Sequence, residues 1–99
     1  MLTSGTPGLD GEGHLSQDFG VQAEQAWDNI VAVLATAGLA IGDIVRVTHF
    51  LTRREDLEAY RRICEKKLGS STPVSTLVFV AGLPWPDMLI EIQVDAAAL

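Results

Sequence analysis

Along the chain the apolar positions switch between a period near 3.6 residues and a period of two, and each switch marks a new element. Ala23, Ala26/Trp27, Ile30, Val33/Leu34 and Ala37 recur at helical spacing over residues 20–37. Asp18 stands where its carboxylate can accept a free N–H of the first turn, and Gly38 stops the helix so that Leu39 can fold back onto it. Residues 44–51 form instead a β-branched and aromatic run opened by Gly42 and Asp43, which predicts a strand. Thr52 and Glu55 have capping-box spacing, so the second helix is expected to start near Arg53. Its acids come early and Lys66 and Lys67 late, before Gly69, with Leu57, Tyr60, Cys64 and Leu68 as its buried stripe.

The two ends of the chain read as strands. Residues 1–6 open abruptly as one, followed by the turn signals Pro7-Gly8, Asp10-Gly11 and Gly13. Pro73 opens another over residues 74–80, residues 82–86 turn, and residues 88–94 make the last. The order is strand, short strand, helix, strand, helix, strand, strand, an α+β arrangement in a single domain over residues 1–99 with two helices on one face of a sheet. No internal repeat of solenoid length is visible.

Two helices cover one sheet face, so in a monomer the other face should read polar. Here Val74, Thr76, Val78 and Val80 alternate with Ser75, Leu77 and Phe79, and Val45, Val47 and Leu51 alternate with Ile44 and Phe50. A sheet apolar on both faces must bury the second against something else, and copies of the same chain are the simplest cover. A homo-oligomer is therefore expected. In the last strand Ile90, Ile92 and Val94 oppose Glu91, Gln93 and Asp95. If that polar row shares a face with Ser75, the seam between subunits holds a carboxylate, which is costly unless paired and whose pKa should rise.

Composition narrows the classes. Apolar residues make up 47% and charged residues 20%, a globular balance without the polar tracts of a disordered chain. Apolar stretches are too short to span a membrane and no basic leader opens the sequence. With Cys64 the lone cysteine, no disulfide or thiolate metal site can form within the chain, and a reducing cytoplasm is expected. The formal charge of −6 repels nucleic acid, and the basic residues between Arg53 and Lys67 interleave with acids as on a solvated helix.

Ala37-Gly38-Leu39-Ala40-Ile41-Gly42-Asp43-Ile44-Val45, then Phe50-Leu51-Thr52, Pro73, Leu83-Pro84 and Ile90-Glu91-Ile92, in this order and spacing, resemble the Rid (reactive-intermediate deaminase, YjgF) family, and Thr3-Ser4-Gly5 fits it too. The resemblance covers nearly the whole chain. It implies a chorismate-mutase-like fold and a homotrimer with clefts between subunits. It also implies a site in which an arginine two residues after the strand-opening proline grips a substrate carboxylate and a glutamate of the last strand attends the hydrolytic water. The glutamate is Glu91, but the arginine position holds Ser75, and Leu77 stands where the family has a small or cysteine-like residue. A neutral hydroxyl cannot replace a bidentate guanidinium. Family members also begin about 20 residues earlier, with a strand whose aromatic lines the cleft. Their second helix tends to carry an asparagine and then an aromatic where Arg61 and Cys64 stand here. Arg61 reads as a surface arginine. Some members carry a ribonuclease label, which the charge of this chain does not favour.

The residues and the resemblance together point to a small-molecule cleft lined by Ser4, Gly5, Ser75 and Leu77, with Glu91 as catalytic base, no cofactor and no metal. The substrate class is an imine or enamine hydrolysed to a carbonyl compound and ammonia. The rival reading is a non-catalytic ligand-binding or regulatory trimer, in which Glu91 only hydrogen-bonds a ligand. Ser75 reads as a satisfied hydroxyl, since no G-x-S-x-G elbow surrounds it and no histidine is placed in sequence to suggest a triad. His49 reads as a hydrogen-bonded structural or interface histidine, and Gly8, Gly11 and Gly13 as a hairpin turn rather than a phosphate loop. Trp85, between two prolines, reads as a turn aromatic lying on a neighbouring subunit.

Overall fold

Helix α1 spans Phe19–Thr36 and owes its start and stop to the residues flanking it. Asp18 Oδ1 accepts from the Val21 N–H at 3.0 Å, and Gly38, at φ 72°, reverses the chain so that the Leu39 N–H reaches the Leu34 carbonyl at 2.9 Å. Its apolar stripe of Phe19, Ala23, Ala26, Trp27, Ile30 and Leu34 is buried in full against the sheet and the second helix. The computed structural model describes residues 1–98, and the elements that follow complete one sheet and one core.

Four strands form a mixed sheet in the order β1-β4-β2-β3, with β1 at Thr6–Pro7, β2 at Ile44–Leu51, β3 at Val74–Phe79 and β4 at Ile90–Ala96. β2 and β3 run parallel, and the crossover that parallel strands require is supplied by α2, Leu57–Leu68. β4 pairs antiparallel with both β2 and β1. The register sets Val47, His49 and Leu51 of β2 beside Val94, Ile92 and Ile90 of β4, and these six side chains form the floor on which the helices sit. Glu24 to Lys66 and Asp28 to Lys67 join the helices at 3.3 and 2.9 Å, exposed pairs that add little stability.

Three expectations are corrected. Thr52 and Glu55 make no capping box: a single 3-10 turn over Arg54–Asp56 comes first, α2 starts at Leu57, and neither carries a side-chain cap. The local bond made instead is a fork from Arg53 to the Asp56 carboxylate, at 2.8 and 3.0 Å, a charge-assisted pair stronger than a neutral cap. Strict alternation fails at the start of β2, where a register shift between Ile44 and Arg46 turns both Val45 and Arg46 outward. Finally, the expected strand over residues 1–6 is broken. Before Thr6 only the isolated bridge from Leu2 to Asp95 remains. Thr3 turns its side chain inward, where its Oγ1 accepts from the Val94 N–H at 2.9 Å, and its backbone N–H and hydroxyl both donate to the Val94 carbonyl, at 3.0 and 3.2 Å.

Beyond Gly13, at φ 80°, the loop before α1 is held by Gln22, a fully buried amide. Its Nε2 donates to the carbonyls of Ser16 and Asp87 at 2.7 and 2.8 Å, and its Oε1 accepts from the Leu89 N–H at 2.9 Å, so both loops flanking the sheet hang on one side chain. No helix among the described residues is long and apolar enough to cross a membrane.

Candidate functional site

Parallel pairing places Ser75 beside Val47 and Leu77 beside His49, with all four side chains on the helix-covered face. His49 is 2% exposed, and its Nε2 lies 2.8 Å from Ser75 Oγ. On the other side of the ring, Nδ1 is hydrogen-bonded to the Tyr60 hydroxyl of α2, which also accepts from Trp27 Nε1 of α1 at 3.3 Å. Both helices and two strands thus converge on a polar chain inside an apolar core. Phe19 packs edge-on to the Tyr60 ring at 6.1 Å and closes it off from water.

That setting fixes the ionisation of its members. Burial pulls the His49 imidazole down to about 4, so the ring is neutral near pH 7. Burial likewise pushes the Tyr60 phenol well above its usual range and raises the Cys64 thiol beside it. The chain reaches the surface at Ser75, which is exposed. The hydroxyl expected to be satisfied and the histidine expected to be hydrogen-bonded are thus partners of each other, a pairing that no spacing in the sequence suggested. The two residues are 26 positions apart, and only the β2–β3 register unites them.

Glu91 occupies different ground. It pairs with Phe50 of β2 and Pro7 of β1, so it shares a face with Val78 and Thr76, not with Ser75 and Leu77. The condition under which the polar row of β4 would join Ser75 is thus not met within one chain, because β2 lies between the two strands and its register sets their parity. Gly5 does meet Glu91: a Cβ on Gly5 would fall 1.5 Å from Glu91 Oε1, so the carboxylate rests on the space that the glycine leaves. Ser4 is exposed, with its carbonyl accepting from Thr6 Oγ1 at 3.2 Å.

The face that carries Glu91 has no helix over it. Arg46 Nε donates to Asp95 Oδ2 at 2.7 Å, and this pair, with Thr48, Thr76 and Gln93, lines a shallow polar cavity. Toward the β3 edge the same face turns apolar, with Val74 68% and Val78 37% exposed. Arg61 is exposed and paired with Glu58 at 3.3 Å, away from this face. A wider cavity between Leu9, His14, Leu15 and Trp85-Pro86 holds none of the sequence-derived candidates. Among the described residues no three His, Cys, Asp or Glu side chains gather as a metal ion would require.

Two helices on one face of a four-stranded mixed sheet make a small α+β protein with the fold of the YjgF-type structures. The profile of the family described as Endoribonuclease L-PSP matches residues 1–98, and the chain belongs to that family, whose members include the Rid and YjgF proteins. It is 33% identical over 100 residues to 2-iminobutanoate/2-iminopropanoate deaminase of Salmonella typhimurium, covering 97% of this chain and 77% of that one. It is 34% identical over 79 residues to a RutC family protein of Pyrococcus horikoshii, covering 80% of this chain and 62% of that one. Among solved structures, Escherichia coli TdcF with bound serine superposes with a TM-score of 0.90 at 28% identity, over 99% of this chain and 80% of that one.

Proposed function

We propose that this single-domain protein forms a homotrimer that binds a small metabolite in clefts between subunits, and that Glu91 serves there as the base that activates water. The observation that carries the reading is the placement of Ser75 and Leu77 on one face of the sheet and Glu91 on the other. One copy cannot direct all three at one ligand, so a shared site requires Glu91 on the open face of one copy to meet the exposed Ser75 at the β3 edge of another. The uncovered Val74 and Val78 supply apolar surface for that contact. Similarity to iminobutanoate deaminases, and a serine bound in TdcF, support a small amino-acid-like ligand class.

In the reaction, Glu91 takes a proton from water while the oxygen adds to an imine carbon. Glu91 passes that proton to the imine nitrogen to complete a carbinolamine, and then carries the carbinolamine hydroxyl proton to the amine nitrogen as the C–N bond breaks, giving a carbonyl compound and ammonia. Ser75 stands where an arginine would grip a carboxylate, so the favoured ligand is neutral or weakly charged. A charge-assisted hydrogen bond of the kind forgone contributes about 1.5–3 kcal/mol. The charge of −6 disfavours nucleic acid as a partner, and the reading requires no cofactor.

The test is ammonia release from 2-iminopropanoate generated in place by an amino-acid oxidase. Weak release in the native protein, a gain in Ser75→Arg and a loss of that gain in Ser75→Arg/Glu91→Gln are expected. No release from either Ser75 form would refute catalysis and leave the ligand-binding trimer, for which Glu91→Gln keeps its ligand.

A further inference from the structure

Resting on the reading of Ser75 as a cleft residue, we infer that Trp27, Tyr60 and His49 form a one-way hydrogen-bond relay that fixes Ser75 as a donor, selecting ligands with a neutral carbonyl oxygen such as a primary amide. The direction follows from the ends of the chain. An indole N–H can only donate, so Tyr60 Oη accepts from Trp27 Nε1. The phenolic hydrogen must then go elsewhere, and its neighbours are the imidazole nitrogen of His49 and the Cys64 sulfur, of which the nitrogen is much the better acceptor. With Nδ1 accepting, a neutral His49 carries its one hydrogen on Nε2, which donates to Ser75 Oγ at 2.8 Å.

A lone pair of Ser75 is thereby occupied from inside, and its own hydrogen is left for the outside. The hydroxyl offers an acceptor oxygen one directed bond and no charge. A carboxylate docking there would give up its hydration without an opposing cation, whereas an amide or ketone oxygen loses far less water. Tyr60 and His49 act through Ser75 and are positioning residues. The reverse polarity, with hydrogen on Nδ1, would instead have Ser75 donating to His49, the arrangement of an activated nucleophile.

Nitrogen-15 shifts of the His49 ring in uniformly labelled protein read the polarity directly, whether or not any ligand binds. Hydrogen on Nε2 is expected, with Tyr60→Phe shifting the ring toward the other tautomer. Pyruvamide and pyruvate are then titrated against the Ser75 amide resonance. Pyruvamide is expected to bind at least about tenfold more tightly, a difference of about 1.4 kcal/mol, and to lose that advantage in Ser75→Ala. Hydrogen on Nδ1, or pyruvate bound as well as pyruvamide, overturns the inference. If Ser75→Arg gains ammonia release while pyruvamide leaves the native Ser75 resonance unmoved, the inference falls and the cleft reading stands.

Discussion

Ser75 and Glu91 turn away from each other across β2, one facing the helices and the other the uncovered side of the sheet. Neighbouring strands are about 4.8 Å apart, so roughly 10 Å and a full sheet thickness separate two residues read as partners. A site using both has to be assembled from more than one copy, and the shape of the open face becomes a functional matter.

Light scattering at micromolar concentration should accordingly find an assembly and no single-chain species. Val78, on the Glu91 face, is exposed in the single chain, so Val78→Asp should leave the fold intact and disperse the assembly by placing a second carboxylate near Glu91. An unchanged mass in that variant, with native circular dichroism, would show that the contact surface lies elsewhere.

Two glycines separate a site defect from a folding defect. A Cβ at Gly5 meets the tip of a flexible glutamate, so Gly5→Ala should shift Glu91 and leave the urea midpoint nearly unchanged. At Gly8 the added carbon falls 2.2 Å from the Gln22 backbone carbonyl, which cannot swing aside. Gly8→Ala should cost about 1–3 kcal/mol in urea unfolding, the usual range for overpacking.

Buried His49 makes stability depend on pH. Its folded pKa of about 4 lies below the ordinary 6.5, so between those values the unfolded chain binds more protons and stability rises with pH. The contribution is complete above 6.5 and is lost as pH falls toward 4, on the order of 3 kcal/mol in all. Denaturation curves from pH 4 to 7 should show this slope, and it should vanish in His49→Phe.

Tyr60 is the one tyrosine in the chain, so its ionisation can be read from ultraviolet absorbance without ambiguity. Burial holds the phenol above its usual range, and the folded protein should show no phenolate step near pH 10. The step should appear in urea. A normal titration in the native state would mean that the Trp27-Tyr60-His49 chain is open to solvent.

Local chemistry in the sequence was enough to place both helices, the cap at Asp18, the stop at Gly38 and the strand over Ile44–Leu51, because period, capping and turn residues act within a few positions. It also led to the family, through motifs whose order survives divergence. What it could not settle was parity. The bulge at Val45 and the inward turn of Thr3 depend on partners far along the chain, whereas at the start of α2 one local pair, Arg53 with Asp56, stands in place of the capping box that the spacing suggested. The pairing of His49 with Ser75, and the parting of Ser75 from Glu91, come from strand register, and a shift of one residue would exchange the two faces. Sequence names the residues that can do chemistry, and register alone decides which of them meet.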